Sequence, residues 1–311
     1  MANARPFRFG VGADSAPSRE AWIELAQKVE DLGYATFLLA DHYVNEFPPI
    51  AALMAAADAA KTIRVGSFVF DNDFRHPAML AKEVATLDLL SGGRFEFGIG
   101  AGWHPPEYEQ AGLPFDSAGV RISRLEEALA IIKQFFTQDA VTFSGAHYRV
   151  TNLYAAPKPA QRPYPPIFIG GGGKRLLTLA GREADIIGLH FKVSADGTVS
   201  PSEHTEAVLA QKVEWVRQAA GERFEAIEFN LLVGVGIAEN RQKAAEQRVR
   251  ERGLAVTAEQ VLASSYLLLG SVEEIVERLH YLRERYGVSY FVVGTEYMEA
   301  LAPVVARLAG K

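Results

Sequence analysis

Short, unbroken apolar runs alternate with longer helical patterns along nearly all of the 311-residue chain. Strands that are buried on both faces read as continuous apolar runs, which is typical of a parallel sheet covered by helices. Eight strand–helix units in about 300 residues favour a (β/α)8 TIM barrel. The sequence therefore predicts an α/β protein with this fold, as one domain over residues 1–311. The eight runs lie at residues 7–12, 36–40, 63–70, 94–99, 167–169, 185–189, 227–235 and 290–293.

The alternation is interrupted once, between the predicted fourth and fifth strands. Residues 140–166 contain two short alternating runs, VTFSG and HYRVTN, followed by the proline-rich APKPAQRPYPP. These patterns predict a β-hairpin and a crossing segment as an insertion in the barrel. A doubly wound open sheet is the alternative, but GVGADS at residues 10–15 does not match the G-x-G-x-x-G turn that such a sheet usually carries.

Composition excludes several kinds of site and partner. The 32 basic and 38 acidic residues give a net charge of −6 without blocks of like charge, so no nucleic-acid partner is expected. The absence of cysteine excludes disulfides, thiolate metal sites and a cysteine nucleophile. No apolar run reaches the roughly 18 to 20 residues of a membrane span. The N-terminal MANARPFRFGVG lacks the apolar core of a secretion signal, so we expect a cytoplasmic protein without a membrane partner.

Known metal and hydrolase motifs are missing. The seven histidines show no H-x-x-x-H spacing, and neither an EF-hand loop nor a G-x-S-x-G turn occurs. The run Asp71-Asn72-Asp73 could bind a cation, but the loop chemistry of Asp and Asn explains it equally well. We therefore predict no metal site.

Polar residues follow the predicted strands, at the end where (β/α)8 barrels carry their active sites. Asp41 and His42 come directly after the second run. Histidine is suited to proton transfer near neutral pH, and Asp41 could orient it or bind a ligand. An ion pair at the rim of the barrel is the alternative interpretation.

The fourth run ends in glycines and continues into an aromatic, polar loop. Gly98, Gly100 and Gly102 would let the backbone approach a ligand closely. Trp103 and Glu107 then offer a stacking surface and a carboxylate, and a flat heterocycle is the obvious partner for the indole. A tryptophan that merely packs the loop is the alternative.

Four consecutive glycines follow the fifth run and precede a predicted helix. Backbone amides at a helix N-terminus can hold a phosphate, and Lys174 or Arg175 would add positive charge. The segment is not a Walker A loop, because it lacks the upstream glycine and has Arg175 where Ser or Thr is required. A flexible turn is the alternative. The four residues are Gly170, Gly171, Gly172 and Gly173.

Three segments resemble the bacterial luciferase-like superfamily, and most closely its branch that uses the deazaflavin coenzyme F420. They are LADHY at residues 39–43, FRHPAMLAKEVATLDLLSGGRFEFGIGAGWHPPEYEQAGLPF at 74–115, and LLLGSVEEIVERL at 267–279. The resemblance implies a (β/α)8 barrel that binds reduced flavin or deazaflavin at the carboxyl ends of its strands. It also implies a small-molecule substrate, with a hydride moving to or from C5 of F420. Homodimers are common in the superfamily, so a homodimer is expected here.

The resemblance also implies roles for particular residues. His42 would exchange the proton that accompanies hydride transfer. The segment SFV at residues 67–69 matches a bulge that backs the cofactor ring, often with a non-prolyl cis peptide. The expected catalytic residues are His42, Trp103 and Glu107. The expected cofactor-binding residues are Asp41, Ser67, Phe68, Val69, Gly100, Ala101, Gly102, Gly170, Gly171, Gly172, Gly173 and Lys174.

The chain departs from the sugar-phosphate dehydrogenases of this branch at two places. Their tryptophan after the Asp-His pair would fall near Asn45 and Glu46 here, and their acidic residue after the fourth-strand glycines is Trp103. Glu107 is near that position without aligning to it. An enone, imine or dehydroamino acid therefore fits the loop better than a sugar phosphate. A reduced-FMN monooxygenase and a non-catalytic flavin-binding protein of the same fold remain alternatives.

Overall fold

A ring of parallel strands forms the centre of the computed structural model, which describes residues 5–44, 47–194, 198–252 and 257–311. The strands in these ranges are β1 (Arg8–Ala13), β2 (Thr36–Leu39), β3 (Arg64–Ser67), β4 (Phe70–Asp71), β5 (Phe95–Gly100), β6 (Ala140–Ser144), β7 (Arg149–Tyr154), β8 (Ile167–Gly171), β9 (Ile186–Leu189), β10 (Glu228–Leu232), β11 (Gly234–Ile237), β12 (Leu267–Gly270) and β13 (Val288–Gly294).

Eight of these strands close the ring. Their order is β3, β2, β1, β13, β10, β9, β8 and β5, and each pairs in parallel with the next. Pairing of β3 with β5, in the register Val65 to Phe95 and Gly66 to Glu96, joins the two ends. The predicted (β/α)8 barrel is therefore confirmed.

Helices surround the barrel and begin and end where the sequence signals indicate. Ser271 and Glu274 form a capping box at the start of α10, and Gly287, at φ 74°, ends it in the left-handed conformation. No helix of the described ranges is both long and apolar enough to cross a membrane. The helices are α1 (Arg19–Asp31), α2 (Pro49–Ala59), α3 (Pro77–Leu90), α4 (Pro105–Ala111), α5 (Ala118–Thr137), α6 (Lys174–Glu183), α7 (Glu206–Ala220), α8 (Arg241–Arg252), α9 (Ala258–Leu262), α10 (Val272–Tyr286) and α11 (Met298–Leu308).

The structure differs from the sequence-based expectation in three elements. The run at 63–70 is two strands, β3 and β4, separated by a bulge. The run at 227–235 divides into β10 and β11, and β11 leaves the barrel to pair with β12, which was not predicted. The loop after β5 contains the short helix α4. The inserted hairpin is present as the antiparallel pair β6–β7.

The interior of the barrel changes character from its amino end to its carboxyl end. At the amino end Glu96, which is 1% exposed, accepts hydrogen bonds from Arg8 and Arg64 at 2.8 to 3.1 Å. The middle is filled by the apolar cluster Leu38, Phe168, Ile186, Tyr290 and Val292. Since strand residues alternate between faces, the next inward positions are glycines, and side chains from the loops at the carboxyl end take the place of most of their missing side chains. These glycines are Gly12, Gly100, Gly170 and Gly294.

Candidate active site

A histidine–carboxylate pair lies at the carboxyl end of the barrel. Nδ1 of His42, directly after β2, is 2.9 Å from Oε2 of Glu107 on α4. Glu107 is only 2% exposed, and its Oε1 has no hydrogen-bond partner among the described residues. The side chain of His42 is 23% exposed. The buried carboxylate therefore fixes the imidazole and leaves the second ring nitrogen to exchange a proton.

Asp41 forms an ion pair, which was the alternative interpretation of this residue. Its carboxylate pairs with both terminal nitrogens of Arg75, one at 3.0 Å, and accepts the backbone N–H of Asp71 at 3.1 Å. The residue is 7% exposed. The orientation of His42 thus depends on Glu107, and Asp41 anchors the strand end beside it. A carboxylate has about four acceptor sites, so contact of Asp41 with a cofactor stays a prediction.

The expected bulge after β3 is present. The Phe68–Val69 peptide is cis, and Ser67 closes the bulge onto the next strand. The hydroxyl of Ser67 donates to the carbonyl of Gly98 at 2.8 Å and accepts its N–H at 2.9 Å. The ring of Phe68 packs against Phe168, 5.3 Å between centroids, so the bulge forms the floor of the carboxyl end.

The glycines of β5 are required by this bulge. A Cβ on Gly98 would overlap the carbonyl oxygen of Ser67, and one on Gly100 would lie 2.9 Å from Cγ2 of Val69. The space beside these two glycines is therefore filled by the bulge, and it does not admit a ligand as the sequence suggested. Their effect on a ligand is indirect, because they let the bulge lie against β5.

A second anchor holds the loop after β5. The Tyr108 hydroxyl lies 2.9 and 2.8 Å from the two carboxylate oxygens of Asp71, and a Cβ on Gly102 (φ 73°) would overlap that hydroxyl. Burial raises the pKa of Asp71 to about 7. Asp73 pairs with Arg124 at 2.9 Å. The two aspartates thus position α4, which explains the Asp-Asn-Asp run without a cation.

Trp103 forms an exposed wall next to the imidazole. Its ring centroid is 5.9 Å from that of His42, nearly perpendicular to it, and 4.8 Å from His104. The residue is 48% exposed, so a large apolar face is free for a ligand. Ala101, at the base of this loop, is fixed by its carbonyl, which accepts Nε of Arg121 at 3.1 Å. Trp103 therefore offers a surface and not an acid or a base.

The four-glycine turn leads from β8 into α6. A Cβ on Gly172 would overlap the backbone between Phe191 and Lys192, whereas one on Gly173 would meet nothing within 4 Å. Gly173 is the N-cap, and no side chain caps the helix. The side chains of Lys174 and Arg175 form no ion pair with any described residue. Uncapped amides and two free cations suit a phosphate.

His190, at the end of β9, belongs to the same end of the barrel and was not among the expected catalytic or cofactor-binding residues. Its ring centroid is 5.5 Å from that of Phe68. Nζ of Lys212 donates to the His190 carbonyl and to Glu203, both at 2.6 Å. Burial, and then the charge of Lys212, lowers the pKa of the imidazole to about 4. The available signal was its position directly after a predicted strand, like that of His42.

A family model described as luciferase-like monooxygenase matches residues 4–257. The matched region includes the bulge, the histidine–carboxylate pair and the four-glycine turn. The chain belongs to the luciferase-like monooxygenase family. The resemblance inferred from the sequence is thereby confirmed for the family.

Curated relatives of this luciferase-like protein have two kinds of name. An F420-dependent glucose-6-phosphate dehydrogenase of Amycolatopsis mediterranei is 30% identical over 52% of this chain and 51% of its own length. An FMNH(2)-dependent dimethylsulfone monooxygenase of Pseudomonas putida is 35% identical over 43% of this chain and 36% of its own. Thus the matches span about half of the first relative's length and about a third of the second's. An F420-dependent glucose-6-phosphate dehydrogenase of Microbacterium testaceum is 28% identical over 96% and 88%.

Solved structures show the same fold. The coenzyme F420-dependent tetrahydromethanopterin reductase of Methanopyrus kandleri superposes with a TM-score of 0.77 over 98% of each chain, at 19% identity. At this identity the likeness establishes the barrel alone. Asn45 and Glu46, where the chain was expected to depart from sugar-phosphate dehydrogenases, lie outside the described residues.

Proposed function

We propose that this luciferase-like protein is an oxidoreductase that uses coenzyme F420 and transfers a hydride between the deazaflavin C5 and a small organic substrate. The observation that carries the proposal is the His42–Glu107 pair, at the same end of the barrel as the bulge and the four-glycine turn. Relatives named for F420 dependence align over up to 96% of the chain, against 43% for the relative named for FMNH(2).

The residues at the carboxyl end fit a flat cofactor that carries a phosphate. The uncapped start of α6, with Lys174 and Arg175 unpaired, suits the anion. The bulge at Phe68 and Val69 and the exposed face of Trp103 suit an aromatic ring.

When it is bound, coenzyme F420 supplies the hydride chemistry. The chain supplies the proton transfer that accompanies it. Nδ1 of His42 is held by Glu107, so Nε2 takes the proton of a substrate hydroxyl in oxidation and returns it in reduction. The Glu107 carboxylate stabilises the imidazolium formed in the first case. Burial of Glu107 strengthens this interaction, because little water screens it.

Separate titrations with F420 and FMN test the cofactor. We expect F420 to bind with a dissociation constant in the micromolar range and to turn over with a substrate without oxygen uptake, while FMN does not bind. Fluorescence titration measures the first property and an oxygen electrode the second. Tight FMN binding with substrate-dependent oxygen uptake would instead identify a reduced-FMN monooxygenase, which the Pseudomonas relative favours.

The third outcome, F420 binding without turnover of any substrate, would identify a non-catalytic flavin-binding protein, since fold does not fix function.

We also propose that the enzyme acts as a homodimer in the cytoplasm, as the superfamily resemblance implies. Analytical ultracentrifugation at several protein concentrations measures the assembly independently of activity.

A further inference from the structure

His190 occupies a socket that two glycines create in the upper barrel. A Cβ on Gly188 would lie 2.8 Å from Nε2 of His190, and one on Gly170 would lie 3.1 Å from its Cδ2. Both glycines are at inward positions of neighbouring strands, paired across β8 and β9. The ring therefore stands in the barrel mouth, directly above the apolar layer, and any larger residue at either glycine would displace it.

The backbone and ring of His190 are both held. Lys212, whose side chain is completely buried, donates to the His190 carbonyl and is neutralised by Glu203. Phe68 packs edge-to-face against the ring. Neither ring nitrogen has a hydrogen-bond partner among the described residues, although the residue is only partly exposed. An oriented imidazole with both nitrogens free is ready to bind a ligand.

The imidazole is neutral at physiological pH. Its lowered pKa, about 4, follows from burial and from the charge of Lys212. The carboxylate of Glu203 is engaged by Lys212 at 2.6 Å. A neutral ring offers one N–H donor and one acceptor. It therefore suits a carbonyl or hydroxyl and gives no charge attraction to a phosphate.

The wall beside His190 carries no basic side chain at its inward positions. Following Glu228 along β10, these positions are Asn230, which is completely buried, and Leu232, which is 42% exposed. Their partners on the next strand, β13, are Tyr290 and Val292. Beyond Val292, a Cβ on Gly294 would overlap the carboxylate of Glu296, so this wall ends in a negative charge that would repel a phosphate.

We propose that His190 is a specificity residue that hydrogen-bonds an uncharged carbonyl or hydroxyl group of the molecule in the mouth, and that this wall does not hold a sugar phosphate. The group belongs either to the edge of the cofactor ring or to the substrate. The inference rests on the proposed function for the identity of the cofactor only. The socket of His190 and the lack of basic side chains at the inward positions of the wall are independent of that function.

NMR of protein with ¹⁵N-labelled histidine tests the proposal without turnover. The His190 signal is assigned by its loss in the His190→Asn variant. We expect a neutral ring at pH 6 whose shift changes when either F420 or cyclohexanol is added. A ring that is protonated at pH 6, or that responds to neither probe, would overturn the proposal even if the enzyme uses F420.

Variants then locate the contact. Loss of one neutral hydrogen bond weakens binding by about 2- to 10-fold. His190→Ala should therefore raise either the F420 dissociation constant or the KM for cyclohexanol by this factor. The kcat should change little. His190→Asn, which keeps a donor and an acceptor, should restore most of the effect. His147→Ala, on the inserted hairpin, is the control. Unchanged F420 and cyclohexanol binding in His190→Ala would remove the residue from recognition.

Glucose 6-phosphate tests the second half of the proposal. We expect no saturable oxidation of it by the F420-loaded protein under conditions in which cyclohexanol is oxidised. Lys192, exposed two residues beyond His190, is the cation most able to contradict this. Saturable oxidation of glucose 6-phosphate that disappears in Lys192→Ala would show that a phosphate does bind at this wall.

Discussion

The two ends of the barrel differ in how their polar and charged side chains are paired. At the amino end, Glu96 accepts three hydrogen bonds from Arg8 and Arg64 inside a closed interior. At the carboxyl end, Oε1 of Glu107 lacks a partner among the described residues, and no described residue hydrogen-bonds the ring nitrogens of His190. An unpaired buried polar group is destabilising by about 1 to 3 kcal/mol. Such atoms also occur elsewhere, Nε of Arg8 among them, but those at the carboxyl end lie where (β/α)8 barrels bind their ligands. We therefore infer that the first end serves stability and the second serves function.

Electrostatics sharpen this contrast. Burial alone would raise the pKa of Glu96, but Arg8 and Arg64 hold it below its ordinary value. For His190, burial and a like charge act together and lower the pKa. The amino end thus keeps its charges paired, whereas the carboxyl end keeps an imidazole uncharged beside a buried lysine.

The largest effect is expected for His42→Ala. Loss of general acid–base catalysis should lower turnover by about 10²- to 10⁴-fold. The melting temperature should fall as well, because the buried Glu107 loses its partner, but the drop in turnover should persist at temperatures where the variant is fully folded. Steady-state kinetics with F420 and calorimetry measure the two properties, with His147→Ala as control. Turnover equal to that of the parent would remove His42 from the mechanism.

Glu96→Gln should have the opposite effect to His42→Ala, because it should lower stability more than turnover. Breaking a buried ion pair leaves Arg64 without its carboxylate and Arg8 with Glu228 alone, 3.4 Å from its Nε. This should lower the free energy of unfolding by about 3 to 5 kcal/mol. The parent should lose the same stabilisation as the pH falls below the ordinary range of glutamate, because the pKa is lowered in the folded state. Urea denaturation measures both effects, and the exposed Glu299→Gln is the control. If Glu96→Gln were as stable as the parent but had a lowered kcat, the amino end would serve catalysis, which would contradict the proposed division between the two ends.

A smaller effect on activity is expected for Glu107→Gln. A hydrogen bond to a charged group contributes about 1.5 to 3 kcal/mol, so its loss in the transition state should lower kcat by about 10- to 100-fold. Steady-state kinetics measure this effect. Glu109→Gln, exposed on the same helix, should match the parent. An unchanged kcat in Glu107→Gln would show that His42 acts without this partner.

The barrel could be predicted from the sequence because strands buried on both faces leave a continuous apolar pattern. Smaller elements left no such pattern. Helix α4 has only seven residues and begins with two prolines, so it reads as a loop. The bulge between β3 and β4 lies within one apolar run. Strand β12 follows a helix so closely that its short LLLG run was not separated from its surroundings.

The chemistry of the site was predicted by residue type, but its contacts were not. His42 and Glu107 are separated by 65 positions, and only the packing of α4 on Asp71 brings them together. Asp41 is the carboxylate nearest to His42 in sequence, but it forms its ion pair with Arg75. Sequence spacing indicates which groups reach one end of a barrel and does not show which of them pair.

A crystal structure of the protein with bound coenzyme F420 tests the division between the two ends most directly. We expect the phosphate at the amides of the four-glycine turn, and the deazaflavin ring against the bulge within reach of His42. A cofactor bound anywhere other than the carboxyl end, with the four-glycine turn unoccupied, would contradict the account.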